Sequence, residues 1–112
     1  MRFAESAAEV DAAYALLRSD ALEIRDLASC GAEIGEAALM RWERNIGFAT
    51  RLCVNAVSRL QSTLGAHGID YDNPVHRAGR DIQAIGTHAG NWDVRAGNYA
   101  RWAFGIEGPR EF

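Results

Sequence analysis

Proline is scarce in this chain. Only Pro74 and Pro109 occur in 112 residues, so the ring that breaks helices is missing from the whole first half. Cysteine is as rare. Cys30 and Cys53 stand far apart with no CxxC pair, which excludes a disulfide framework and a zinc site, and both read as small buried apolar residues. The three histidines, His67, His76 and His88, lack cysteine or acidic partners at metal spacing, so no metal is expected. No basic run interrupts a net charge of −3, which leaves no nucleic-acid footprint. No apolar run approaches the roughly 20 residues of a membrane span. The segment Met1 to Val10 carries Glu5 and Glu9 and does not read as a signal peptide, so a cytoplasmic protein is expected, with neither nucleic acid nor membrane as partner.

What is present is ordinary globular usage, 48% hydrophobic and 24% charged, in enough residues for one domain over 1–112. Alanine, leucine and arginine dominate, and the apolar period is helical. Phe3, Ala7, Val10, Tyr14, Leu17, Ala21, Ile24 and Ala28 form one stripe. Leu39, Trp42, Ile46, Ala49, Cys53, Ala56 and Leu60 form a second. A third runs from Val75 through Ile82, Ile85, Ala89, Trp92 and Ala96 to Ala103. Ser29-Cys30-Gly31 ends the first segment and Gly65-Ala66-His67-Gly68 the second. Asp72-Asn73-Pro74 opens the third, with Asn73 or Asp72 as cap and Pro74 in the first turn. Gly86 and Gly90 predict a kink or a change of helix. The expected fold is all-α: an antiparallel up-and-down bundle of three long helices, the last divisible into two. Alanine-rich stripes bury little area each, so such a bundle is modestly stable alone. Trp42, Phe48, Trp102 and Phe104 are expected to pack against another chain, and self-association follows.

The third segment is the one that suggests chemistry. At about 100° per residue, Arg77, Asp81, Ala84, His88, Trp92, Arg95 and Tyr99 share one face roughly 80° wide. Arg77 and Asp81 are four apart, as are His88 and Trp92, so each pair can touch. An imidazole beside an indole, bounded by Arg and Asp, suits a half-buried polar site. A solvated face with one semi-buried histidine fits the same spacing.

The order of short elements adds a resemblance. Pro74-Val75-His76-Arg77-Ala78-Gly79-Arg80-Asp81 has the form P-x-x-R-x-x-R-D, followed by His88 and by Asn91-Trp92-Asp93. Val10 to Arg18 and Ala56-Val57-Ser58-Arg59-Leu60, with Gly65 after it, precede them. Together these resemble the C-terminal helical domain of acyl-CoA dehydrogenase-fold flavin-dependent monooxygenases, of the 4-hydroxyphenylacetate hydroxylase oxygenase and dibenzothiophene monooxygenase type. The resemblance spans nearly the whole chain. It implies an enzyme that takes reduced flavin, FMN or FAD, from a separate flavin reductase and uses dioxygen to hydroxylate a substrate.

Residue by residue, the resemblance implies that His88 is the catalytic histidine near flavin and substrate. An imidazole titrates near neutrality and can hydrogen-bond or take a proton there. It implies that Gly65 is a turn where backbone approaches flavin, and it makes Trp92 and Arg80 candidate cofactor contacts. Packing for Trp92, and an Arg80–Asp81 structural pair, are the plainer alternatives.

Two positions depart from the pattern. Gln83 stands where many relatives carry a histidine. Ala89, before Gly90, stands where acyl-CoA dehydrogenases place a catalytic glutamate, and alanine cannot remove a proton α to a thioester. The oxygenase branch is therefore favoured over a dehydrogenase fragment. A non-catalytic helical interaction module is the other alternative. The family's N-terminal helical and central β-domains cannot be read here. The chain is therefore expected to need those domains, or a partner chain carrying them, and to be inactive by itself.

Overall fold

The computed structural model describes residues 1–64, 73–88 and 91–108, and these contain helices and no strand. The helices are α1 (Arg2–Cys30), α2 (Glu36–Leu64), α3 (Pro74–Thr87) and α4 (Trp92–Ala103). The expected three-helix layout is present, with the last helix divided at the glycine-flanked stretch.

Local chemistry sets the boundaries. α1 stops at Gly31, whose φ of 64° suits glycine, and its N–H reaches Ala28 O at 3.3 Å while Ala32 N reaches Leu27 O at 3.1 Å. At the start of α3, Asn73 Oδ1 accepts from Val75 N at 2.9 Å and Pro74 occupies the first helical position. Asp72, the other expected cap, lies outside the described residues, as do the glycines expected to end the second helix.

α2 is the central element and packs against each of the other three helices. α1 runs antiparallel to it, held by polar contacts along its length. Ser6 Oγ donates to Ala56 O at 3.0 Å, Arg59 bonds Ser6 and Glu9, Asn45 Nδ2 donates to Asp20 at 2.9 Å, and Arg41 pairs with Glu23. On another face of α2, α3 and α4 follow one antiparallel track. Gly79 lies by Gln61, Gly86 by Val54, Trp92 by Phe48, and Asn98 by Glu43.

The core is thin. Among the described residues the buried apolar ones are Ala13, Met40, Trp42, Ala49 and Ala56, accompanied by buried Ser6, Asp20, Asn45, Thr50 and Asn98. The radius of gyration is 16.6 Å, against about 13 Å for a compact domain of this length. A flat, elongated layer of helices leaves much apolar surface uncovered.

Two expectations need correction. The first stripe does not face α2: Phe3 is 73% and Tyr14 69% exposed, and Val10, Leu17 and Ile24 are exposed as well. The buried positions of α1 are Ser6, Ala13 and Asp20, roughly a quarter-turn away, where small and hydrogen-bonding side chains let the two helices close. Trp42, expected to serve another chain, is buried within this one. Phe48 and Phe104 do remain exposed.

Candidate functional site

The break between α3 and α4 is built by asparagine. His88 N–H bonds Ile85 O at 3.2 Å, which closes α3, and its φ/ψ of −114°/−111° leaves the helical region. Asn91 N–H then bonds His88 O at 3.2 Å. Asn91 Oδ1 accepts from Asp93 N at 3.0 Å and Val94 N at 3.4 Å, capping α4. Asp93 lies in the first turn, where a carboxylate complements the helix dipole. The Asn-Trp-Asp run is thus a helix-start device, and it fixes where Trp92 points.

Trp92 turns toward α2. Its ring lies 5.5 Å from that of Phe48 with the planes 56° apart, and the Arg51 guanidinium lies 5.9 Å from its centroid. Gly47 makes this approach possible. A Cβ there would stand 3.0 Å from Arg95 Cβ and 3.4 Å from Trp92 Cα. Further along, Glu43 accepts from Asn98 Nδ2 at 3.1 Å and sits 3.7 Å from Arg95, and Arg44 stacks on Tyr99 at 4.7 Å. α4 is therefore pinned to α2 by both ends of its inner face.

Between α2 and the break lies an open cavity of about 490 Å³. Arg51 and Asn55 line it from α2, Gln83 and Thr87 from α3, and Asn91 and Trp92 from the break and α4. One aromatic face, one guanidinium and three carboxamides suit a planar, polar-edged ligand. The cavity is open on one side, so this chain supplies a wall and not an enclosure.

The structure brings together some of the residues singled out from sequence. Trp92 lines the cavity. His88 is exposed at the break, directly after the lining residue Thr87. The two lie on different segments and not on one continuous helical face, because the helix ends at Thr87 and restarts at Trp92. Arg80 is exposed on α3, three and seven residues before Gln83 and Thr87, hence on the same face. Gly65 and Ala89 lie outside the described residues. Sequence reasoning missed Arg51 and Asn55. Four apart on α2 and off its apolar stripe, they were legible as a polar pair but had no stated partner.

Away from the cavity, Arg59 is held charged chiefly by its bond to Glu9. Partial burial, and secondarily the charge of Glu9, push the Cys53 thiol above its ordinary value of 9.0. Among the described residues no cluster of acidic, histidine and cysteine side chains has the makings of a metal site, and no helix is long and apolar enough to cross a membrane.

The fold is an all-α layer of helices with an open cleft of ligand size at a helix break. The chain belongs to the acyl-CoA dehydrogenase C-terminal domain family, whose model matches residues 1–92. It is 33% identical to the oxygenase component of FADH(2)-dependent resorcinol hydroxylase from Rhizobium sp., over 96% of this chain and 27% of that protein. It is 32% identical to the oxygenase component of p-hydroxyphenylacetate 3-hydroxylase from Acinetobacter baumannii, over 96% of this chain and 26% of that protein. The flavin-dependent monooxygenase oxygenase subunit HsaA of Mycobacterium tuberculosis is 31% identical over 86% of this chain and 24% of its own length. The chain thus spans about a quarter of the length of these curated relatives. No solved structure gave a significant match.

Proposed function

We propose that this chain is the flavin-facing helical domain of the oxygenase component of a two-component flavin-dependent monooxygenase. The observation that carries the reading is the cleft at the α3–α4 break, with Trp92, Arg51 and three carboxamides around it, in a chain whose relatives are oxygenase components. The residues fit a flavin ring. The indole offers an apolar face, the guanidinium and carboxamide N–H groups offer donors to ring carbonyls, and carboxamide oxygens offer acceptors to ring N–H groups. When bound, reduced flavin supplies the activation of dioxygen. The cleft's residue types suit FMN and FAD equally, since the ring system is common to both.

This chain's own part is to orient and exclude. Trp92, packed on Phe48, gives the ring a wall, Arg51 and Asn55 fix its edge, and the capped start of α4 holds that wall still. His88 is the catalytic residue of the proposal: a ring nitrogen of its imidazole accepts the substrate's hydroxyl proton or donates a hydrogen bond at the oxygen to be transferred. Arg80 shares the face of α3 that leads to the cleft and contacts the cofactor's outer portion. Gly65 belongs to the same proposal as a close backbone approach.

The remaining family domains, on the same polypeptide or a partner chain, close the open side. A flavin reductase supplies the reduced cofactor in the same compartment, the cytoplasm. Alone, the chain is inactive, and it assembles with itself through its uncovered helix faces.

The test is reconstitution with the companion domains, reduced flavin and a phenolic substrate panel. His88→Ala is expected to lower hydroxylation by about a hundredfold or more while leaving assembly and flavin affinity unchanged. Undiminished hydroxylation overturns the assignment. One observation favours a non-catalytic interaction module instead, namely how much of α1 is uncovered. That reading requires an assembly that forms and binds no flavin.

A further inference from the structure

The glycines inside the described helices are Gly47, Gly79, Gly86 and Gly97, and they differ in what a side chain would meet. At Gly47 a Cβ would stand 3.0 Å from Arg95 Cβ, and at Gly79 it would run into the Gln61 carboxamide, so the chain itself occupies the space at both. Gly97 is exposed on α4, and a Cβ there would meet nothing within 4 Å. Gly86 is different again. It is half-buried and lines the cleft, yet a Cβ there would stand 3.6 Å from Val54 Cγ2 and 3.9 Å from Thr50 Cγ2, which is ordinary van der Waals contact. The chain has room for a side chain at the floor of its own cleft and does not place one there.

The backbone does not call for glycine at this position either. Gly86 lies within α3, and the described glycines with positive φ are Gly31, Gly105 and Gly108. The helix ends two residues later, where His88 leaves the helical region. A glycine in a helix costs stability relative to alanine. Neither packing nor conformation accounts for that cost, which leaves the space in front of the residue.

We propose that Gly86 sets the depth of the cleft: the bare backbone of α3 admits the flavin ring to the floor between α3 and α2, and a side chain there would take the ring's place. The inference deepens the functional reading above and rests on it. Glycine is the residue that lets backbone come close to a bound molecule. The surroundings select an apolar, planar group. Methyl groups of Val54 and Thr50 lie across from Gly86, and Gln83 and Thr87 flank it on α3. An apolar floor with polar groups beside it suits a fused aromatic ring and not a hydrated ion. Gly86 is thus a specificity-determining contact that acts by what it leaves out.

The test pairs Gly86→Ala with Gly97→Ala, which adds the same methyl to a helix away from the cleft. Denaturant melts of the chain are expected to give both variants a midpoint at or above that of the wild type, because alanine favours the helix and meets no clash. Anaerobic titration of reduced flavin into the chain assembled with its companion domains then reads the ligand. About tenfold weaker binding is expected for Gly86→Ala, no measurable binding for Gly86→Leu, and wild-type affinity for Gly97→Ala. A lowered midpoint for Gly86→Ala overturns the proposal, since packing then accounts for the glycine. Flavin affinity unchanged by Gly86→Ala, or weakened as much by Gly97→Ala, overturns it as well. Trp92→Ala in the same titration separates the two failures. If it weakens binding where Gly86→Ala does not, the functional reading stands without this inference; if neither changes the affinity, both fall.

Discussion

The thiols show how neighbours set reactivity at the scale of one residue. Cys30 is exposed at the end of α1, and Cys53 is half-buried in α2 near Glu9. Burial first, and then the carboxylate, disfavour the Cys53 thiolate. At pH 8 Cys30 is expected to react with iodoacetamide several times faster than Cys53, which peptide mass analysis resolves; equal rates would contradict the packing described. The folded Cys53 keeps its proton to higher pH than the unfolded thiol. Its contribution to stability is therefore complete below the unfolded value and is lost as pH rises through the folded one. Sequence suggested that both cysteines are buried; only Cys53 is partly so. A helix-end cysteine next to Gly31 has no neighbour to cover it, and composition does not reveal that.

At the scale of the element, the helix ends were the legible part. Asn73-Pro74 and Asn91 are caps, and each sits where a side-chain oxygen meets backbone N–H groups at 2.9 to 3.0 Å. Asn91→Ala should cost about 1 kcal/mol of stability, read by denaturant melts, and should loosen α4 and with it Trp92. Gly47→Ala tests the other support of that indole. The added methyl meets Arg95 Cβ and the backbone of Trp92, neither of which can swing away. Overpacking of about 1–3 kcal/mol is offset only in part by about 1 kcal/mol of helix propensity. A net loss of stability, and a shifted indole emission absent from a Gly47→Ala/Trp92→Phe control, are the expected results. What the pattern did not reveal was orientation. An apolar stripe reports that a face avoids water, not which neighbour covers it. On α1 the helix packed through Ser6, Ala13 and Asp20, because a hydroxyl, a methyl and a bonded carboxylate fit against α2. The histidine and indole read from sequence on one helical face are instead separated by a helix break.

At the scale of the whole molecule, the described helices bury a small interior. Among the described residues a few small side chains and Met40 and Trp42 make the core, while Phe3, Tyr14, Phe104 and Ile106 stand more than half exposed. A layer this thin buries little apolar area of its own and leaves its outer faces open to solvent. The cleft is likewise open on one side, and the proposed function needs other protein to close it. The family was legible in the sequence because its motifs occur in order, and the relatives bear that out over 86 to 96% of the chain. The cleft's α2 side was not legible, since Arg51 and Asn55 acquire meaning only when α3 and α4 are laid against them.

In the proposed function this cleft forms one wall of a flavin site. Anaerobic titration of reduced flavin into the chain assembled with its companion domains measures that directly. Arg51 is exposed, so Arg51→Ala leaves the bundle intact. The account predicts about tenfold weaker flavin binding for Arg51→Ala, and comparable weakening for Trp92→Ala, in assemblies that still form. Affinity unchanged by both substitutions would contradict it.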